Sequence, residues 1–250
     1  MAGSVRGWLA TVGLVLLAWA GLPAPGHAEP TDAPVMVGLM ANFPPTEIWP
    51  ADATGPSGLD VDLLAELSRS TGLKFQFRRY DDFTSLMQAL QSGQVRLITS
   101  IARTEERARS LAFTGPYASV RQGFVGRPDI TSVPATPDLS GRRLAMASGH
   151  VAESVAQERY PAAQRLSFPR VEDALDAVER NQADFVLEAT PTLRALIANR
   201  PKSDLAVLRT YDFPEGHLRM ATSLRDAALA SRLETALQAM DVQRLRLVRA

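Results

Sequence analysis

Two stretches set 88 residues apart, FTSLMQALQSGQVRLITS (83–100) and VEDALDAVERNQADFVLE (171–188), read as one repeated unit. Each is a helix with an apolar stripe that stops and passes into an apolar strand. Ala89 aligns with Ala177, Gln94 with Gln182, and Gly93 with Asn181 at the helix stop. Since helix–strand units share such a pattern generally, the echo reads equally as internal duplication or as common architecture. The same alternation fills the rest of the chain. VMVGLM and KFQFRRY read as strands around the helix LDVDLLAELSRSTG, with Asp60 as N-cap, Leu59, Leu63, Leu64 and Leu67 as the stripe, and Gly72 as the stop. Farther on, GRRLAMAS, RLSF, LAVLRTY and HLRMATSL read as strands, and GHVAESVAQERY, TPTLRALIANR and LRDAALASRLETALQAM as helices. Strands separated by helices need crossover connections, which predicts an α/β fold with mostly parallel sheets. Ligands of open α/β sheets bind beyond the carboxyl ends of the strands, so two lobes with facing strand ends would enclose a cleft.

The N-terminus reads as an export signal. MAGSVRG carries one positive charge, WLATVGLVLLAWAG is an apolar run short for a bilayer, and LPAPGHA ends in a Gly-x-Ala pattern, which predicts cleavage after Ala28. Removing those 28 residues from 250 leaves 222, enough for two lobes with their own cores. The chain has no cysteine, so disulfides, a thiol nucleophile, a lipid-anchored N-terminal cysteine and a thiolate metal site are all excluded. An exported chain without disulfides suits a bacterial periplasm. Basic and acidic residues balance at 27 each, which argues against nucleic acid or an anionic membrane as partner.

Catalytic motifs are missing. The mature chain holds only His150 and His217, with no HExxH, no GxSxG and no GxxxxGK[ST]. Ser148-Gly149-His150 sets a hydroxyl beside an imidazole, but adjacent residues on a turn rarely face each other. No enzyme activity, cofactor or metal is therefore expected. The segment TEERARSLAFTGPY (104–117) carries a different signal. Thr104 is a suitable N-cap, which puts Arg107 on the first turn of a helix, where a cation is disfavoured. Either Glu105 and Glu106 neutralise it, or the guanidinium and the free N–H groups hold an anion from outside the chain.

In order along the chain, NFPP, GLDVDLLAELSRSTGL, the TxER…FTGPY segment, LSGRRLAMASG and VEDALDAVERNQADFVLEATPTLRALI resemble the periplasmic solute-binding proteins of family 3, the polar amino-acid receptors of the type II Venus-flytrap fold. The resemblance implies α/β architecture in two Rossmann-like lobes with mixed/parallel sheets. Lobe 1 would take residues 29–120 plus 218–250 and lobe 2 residues 121–217, joined by two hinge crossings near Ala118–Gln122 and Tyr211–His217. It gives Arg107 the role of ligand-carboxylate clamp. Phe43 stands where the family has an aromatic wall, and Ser100 and Ala102 stand at the floor of the first lobe. Thr104 would cap its helix and offer a hydroxyl to the ligand. Ser148 and Gly149 would open a second-lobe helix whose N–H groups meet the same carboxylate.

The chain departs from the family in several places, among them His150 and Val151, which follow Gly149 in place of the usual additional small hydroxyl residue. The aspartate that holds the ligand's ammonium falls on Ala189, with Glu188 just before it. Either Glu188 substitutes or the ligand lacks an α-amine, since an unpaired amine closed into a cleft is costly. Arg96 also replaces a usual aspartate, which Asp184 keeps in the second half; this reads as structural. The function implied is capture of a small carboxylate-bearing ligand, amino-acid-like or an organic acid, by a monomer that delivers it to the membrane permease of an ABC transporter. The alternative is a sensor module of a membrane histidine kinase. That reading requires a transmembrane helix after VQRLRLVRA, where the chain stops short of the tryptophan that commonly closes the family.

Overall fold

The computed structural model describes residues 33–130, 139–211 and 216–240. The expected leader at 1–28, the segment VQRLRLVRA and part of the second crossing (212–215) lie outside the described residues.

The first lobe opens with β1 (Val35–Met40), the short pair β2 (Asn42–Phe43) and β3 (Glu47–Ile48), and helix α1 (Leu59–Thr71). There follow β4 (Phe75–Tyr80), α2 (Phe83–Gln91), β5 (Leu97–Ala102), the one-turn α3 (Glu105–Ala108), β6 (Leu111–Phe113) and β7 (Ala118–Ser119). The second lobe holds β8 (Gln122–Gly126), β9 (Arg143–Ala147), α4 (Val151–Arg159), β10 (Gln164–Phe168), α5 (Val171–Glu179), β11 (Phe185–Ala189), α6 (Thr190–Ala198) and β12 (Ala206–Tyr211). The chain then returns through β13 (His217–Ser223) and α7 (Ala227–Ala239).

The first sheet runs β4-β1-β5-β13-β6, with β7 also on β13, and the second runs β10-β9-β11-β8-β12. In each, three strands are parallel and the returning strands are antiparallel, so the sheets are mixed. Helices cover both faces of both sheets. Val35, Val37 and Leu39 of β1 pack with Leu63, Leu64 and Leu67 of α1 and with Leu229 and Leu233 of α7. On the opposite face Leu86 and Leu90 of α2 meet Ile98 and Ile101. In the second lobe α4 covers one face, and α5 and α6 the other. Burial of these leucines is the main stabilising term, at roughly 2 kcal/mol per side chain.

The echo between the halves is realised in three dimensions. α2 begins at Phe83 and ends at Gln91, while α5 begins at Val171 and ends at Glu179, a shift of 88 at both ends. The stops also match: Gly93 has φ 78° and Asn181 φ 59°, the left-handed region where glycine and asparagine are tolerated best. The orders β4-β1-β5 and β10-β9-β11 correspond strand for strand.

Two expectations change. α1 is capped by Gly58, and Asp60 is the second residue of the helix, fully buried rather than capping. Helix α4 starts at Val151 with His150 at its N-cap, so Ser148 and Gly149 belong to the preceding turn. Arg96 has a structural partner: its Nε donates to Asp226 Oδ2 at 2.9 Å and its Nη2 to Oδ1 at 2.8 Å, tying the entrance of β5 to the start of α7. Arg96→Ala is expected to lower stability by about 1 kcal/mol, the range of a half-exposed bidentate pair. Urea unfolding of the variant checks this, and the midpoint should fall without a change in slope.

Candidate functional site

A cavity lies where the carboxyl ends of the parallel strands of the two lobes meet. The first lobe contributes Met40, Phe43, Phe83, Ser100, Ala102 and Arg107, and the second His150, Val151, Glu188 and Ala189; Val120 and Gln122 enter from the first crossing. About 40 Å³ of it is open to the centres of water-sized molecules. At roughly 10–15 Å³ per water, that is room for about three.

Arg107 sits on the first turn of α3, whose cap is Thr104: Thr104 Oγ1 accepts from the Arg107 N–H at 3.2 Å. The guanidinium reaches both lobes, with Nη1 donating to Ala102 O at 2.6 Å and Nη2 to Gly149 O at 2.7 Å. Its carbon lies 5.0 Å from the centre of the Phe83 ring, a cation–π arrangement. Burial pulls its pKa down to about 10, and the charge of Glu106 only partly offsets this. The group therefore stays cationic at neutral pH. Glu105 pairs with Arg103 at 3.2 Å, and among the described residues no carboxylate pairs with Arg107. Of the two glutamates of TEERARSL, Glu106 acts on Arg107 through its charge without an ion pair to it among the described residues.

Five of the eight site residues expected from the sequence line this cavity: Phe43, Ser100, Ala102, Arg107 and Glu188. Thr104, Ser148 and Gly149 do not. Thr104 uses its hydroxyl on the helix end. The N–H groups expected to meet a carboxylate are already satisfied, Ser148 N donating to Phe168 O at 2.7 Å and Gly149 N to Glu153 Oε2 at 2.7 Å. What Gly149 offers Arg107 is its carbonyl.

Beneath the floor lies a buried polar cluster that sequence reading missed. β5 carries one extra residue against β13, because Ile101 pairs with Arg219 and Ile98 with Ala221. This bulge puts Ser100 at φ 48° and turns its hydroxyl down to Asp60 Oδ2 at 2.6 Å. Asp60 Oδ1 accepts from Tyr117 OH at 2.7 Å, and the Tyr117 hydroxyl oxygen in turn accepts the Ser100 N–H at 2.7 Å. Glu47 completes the group: Oε1 accepts from Thr99 Oγ1 at 2.6 Å and Oε2 from the Met40 N–H at 2.5 Å. Burial, then the charge of Asp60, pushes the Glu47 carboxyl well above the usual range, and burial raises Asp60 as well. Ser100 therefore spends its donor inward and leaves only an acceptor for the cavity. The signal for Asp60 was its place on the stripe itself, since 60, 63, 64 and 67 share one helix face.

A carboxyl raised in the folded state lends stability that is complete below its unfolded pKa and is lost as pH rises through the folded value. Wild-type stability from Glu47 and Asp60 should therefore decline from pH 5 toward pH 8. Glu47→Gln removes the larger of the two titrations. The variant's melting temperature is expected to fall less over that window than the wild type's, and parallel pH profiles would contradict the assignment.

The second lobe contributes His150 and Glu188. Nδ1 of His150 is 2.6 Å from Glu188 Oε2, and Glu188 Oε1 accepts the Ala189 N–H at 2.8 Å. The imidazole stands edge-on to Phe43 and Phe83 of the first lobe, with ring centres 5.6 and 5.5 Å apart. Asn42 also hydrogen-bonds Glu172 across the mouth. No group of three or more potential metal ligands occurs among the described residues, and no described helix is long and apolar enough to cross a membrane.

Residues 35–243 match the model of the bacterial extracellular solute-binding proteins, family 3. The virulence sensor protein BvgS of Bordetella pertussis is 31% identical over 151 residues, 60% of this chain and 12% of that much longer protein. The ABC transporter arginine-binding protein 1 of Escherichia coli is 25% identical over 207 residues, 81% of this chain and 83% of the relative. Among solved structures, an arginine transport system periplasmic binding protein from Legionella pneumophila superposes with a TM-score of 0.74 at 23% identity, covering 86% of this chain and 98% of that one.

Proposed function

Since the chain belongs to the bacterial extracellular solute-binding proteins, family 3, we propose that it is an exported receptor that closes its two lobes on a small carboxylate-bearing ligand. The observation that carries this reading is Arg107: a partly buried cation in the interlobe cavity that, among the described residues, meets carbonyls and a ring face. A ligand carboxylate would supply the missing counter-charge through two parallel hydrogen bonds. Phe43, Ser100, Ala102 and Glu188 would form the walls around it. Thr104 and Gly149 would act by holding Arg107 rather than by touching the ligand.

In this reading lobe 1 takes 29–120 and 218–250, and lobe 2 takes 121–217, with an N-terminal signal removed at Ala28. Binding stabilises the closed form only by its differential affinity for that form. The closed receptor then hands its ligand to the permease of an ABC transporter. Titration calorimetry with amino acids and organic acids tests capture. A set in which no carboxylate binds would remove the proposal.

The similarity to a virulence sensor protein favours a second reading, a sensing module whose closure is relayed to a kinase. The genomic sequence downstream separates the two. An adjoining permease gene supports transport, and a frame that continues into a membrane helix and kinase supports sensing.

A further inference from the structure

Gln122 opens β8, pairs with Ala189 across the sheet, and is 1% exposed. Its side-chain oxygen Oε1 is buried and has no hydrogen-bond partner among the described residues, yet the residue lines the cavity that holds Arg107. A buried carbonyl oxygen without a donor is uncommon in folded proteins and calls for a donor from a water or a guest. The position that would need a charged acceptor for an ammonium carries no such side chain. Ala189 has no polar side chain, and both oxygens of Glu188 are engaged, one by His150 and one by the Ala189 N–H. An ammonium brought against Glu188 would compete with an imidazole packed between two phenylalanine rings.

We propose that the guest is a short carboxylate without a charged amine, and that Gln122 is a specificity residue accepting a hydrogen bond from a neutral donor, a hydroxyl, on that guest. This rests on Arg107 as the carboxylate anchor. With room for about three waters, the guest is short. The neutral amide replaces a charged anchor, so the site discriminates a hydroxyl from an ammonium by the cost of burying the latter unpaired.

The test is calorimetry on the mature protein with propionate, L-lactate, 3-hydroxypropionate, L-alanine and β-alanine. At least one hydroxy acid is expected to bind tenfold or more tighter than propionate and than either amino acid. In Gln122→Met, checked for folding by thermal melting, that advantage should shrink to less than threefold. Tighter binding of an amino acid, equal binding of all five, or a hydroxy preference that survives in Gln122→Met overturns the role of Gln122 and leaves the carboxylate receptor standing. Failure of all five to bind overturns the short hydroxy-acid guest, and the wider titration with amino acids and organic acids decides capture itself.

Discussion

Arg107→Met is expected to weaken binding of a carboxylate guest by at least about 100-fold, roughly 2.7 kcal/mol. The substitution keeps an unbranched side chain against Phe83 but removes both donors and the charge. In a cavity this enclosed the guest's carboxylate would be stripped of water without a counter-ion, the arrangement buried charges tolerate least. Arg107→Lys should lose less, about tenfold, because it keeps the charge but not the planar fork. Since Arg107 also spans Ala102 and Gly149, each variant needs a parallel melting curve to separate lost affinity from loosened lobes. Calorimetry that finds Arg107→Met within threefold of wild type would remove the anchor.

The second large effect concerns stability. Asp60→Ala should lower the free energy of unfolding by about 3 kcal/mol, because Tyr117 OH and Ser100 Oγ both lose their acceptor in a buried setting. Relief of the repulsion with Glu47 offsets part of this, and the small cavity left by the carboxyl adds to it. Asp60→Asn, which keeps the volume and one acceptor oxygen, should lose about half as much. Urea unfolding at pH 7 measures both, and a loss under about 1 kcal/mol in the alanine variant would show that the cluster is not a unit. Because Ser100 and Ala102 lie on the bulged strand this cluster supports, the same variant should also blur the cavity floor.

Much of the frame was legible in the amino-acid order, for reasons that can be named. The 88-residue echo carries helix period, stop residue and strand in sequence, and those are local properties. Arg107 stood out because a cation on a first helical turn conflicts with the backbone's own field. The polar cluster under the floor was not legible, because Glu47, Asp60, Thr99 and Tyr117 come from four distant segments brought together by β-pairing. Asp60 was read as a cap, since an acid at a helix start ordinarily caps; only its coincidence with the apolar stripe argued otherwise. The turn before α4 misled for a related reason. Gly149 and Ser148 look like a helix entrance offering free N–H groups, but Glu153 and the neighbouring strand had already claimed them. The His150–Glu188 pair resisted prediction because it depends on how the turn before α4 approaches the end of β11.

The contact between Asn42 and Glu172 at the rim has a practical use. These positions are 130 residues apart in sequence and sit on opposite jaws of the opening, in a chain that contains no native thiol. Cysteines introduced at both would be its sole reactive sulfurs, so a pair of dyes or spin labels attached there would act as a molecular ruler for gape. The same two sulfurs, cross-linked, would lock the jaws and let closure be separated from occupancy.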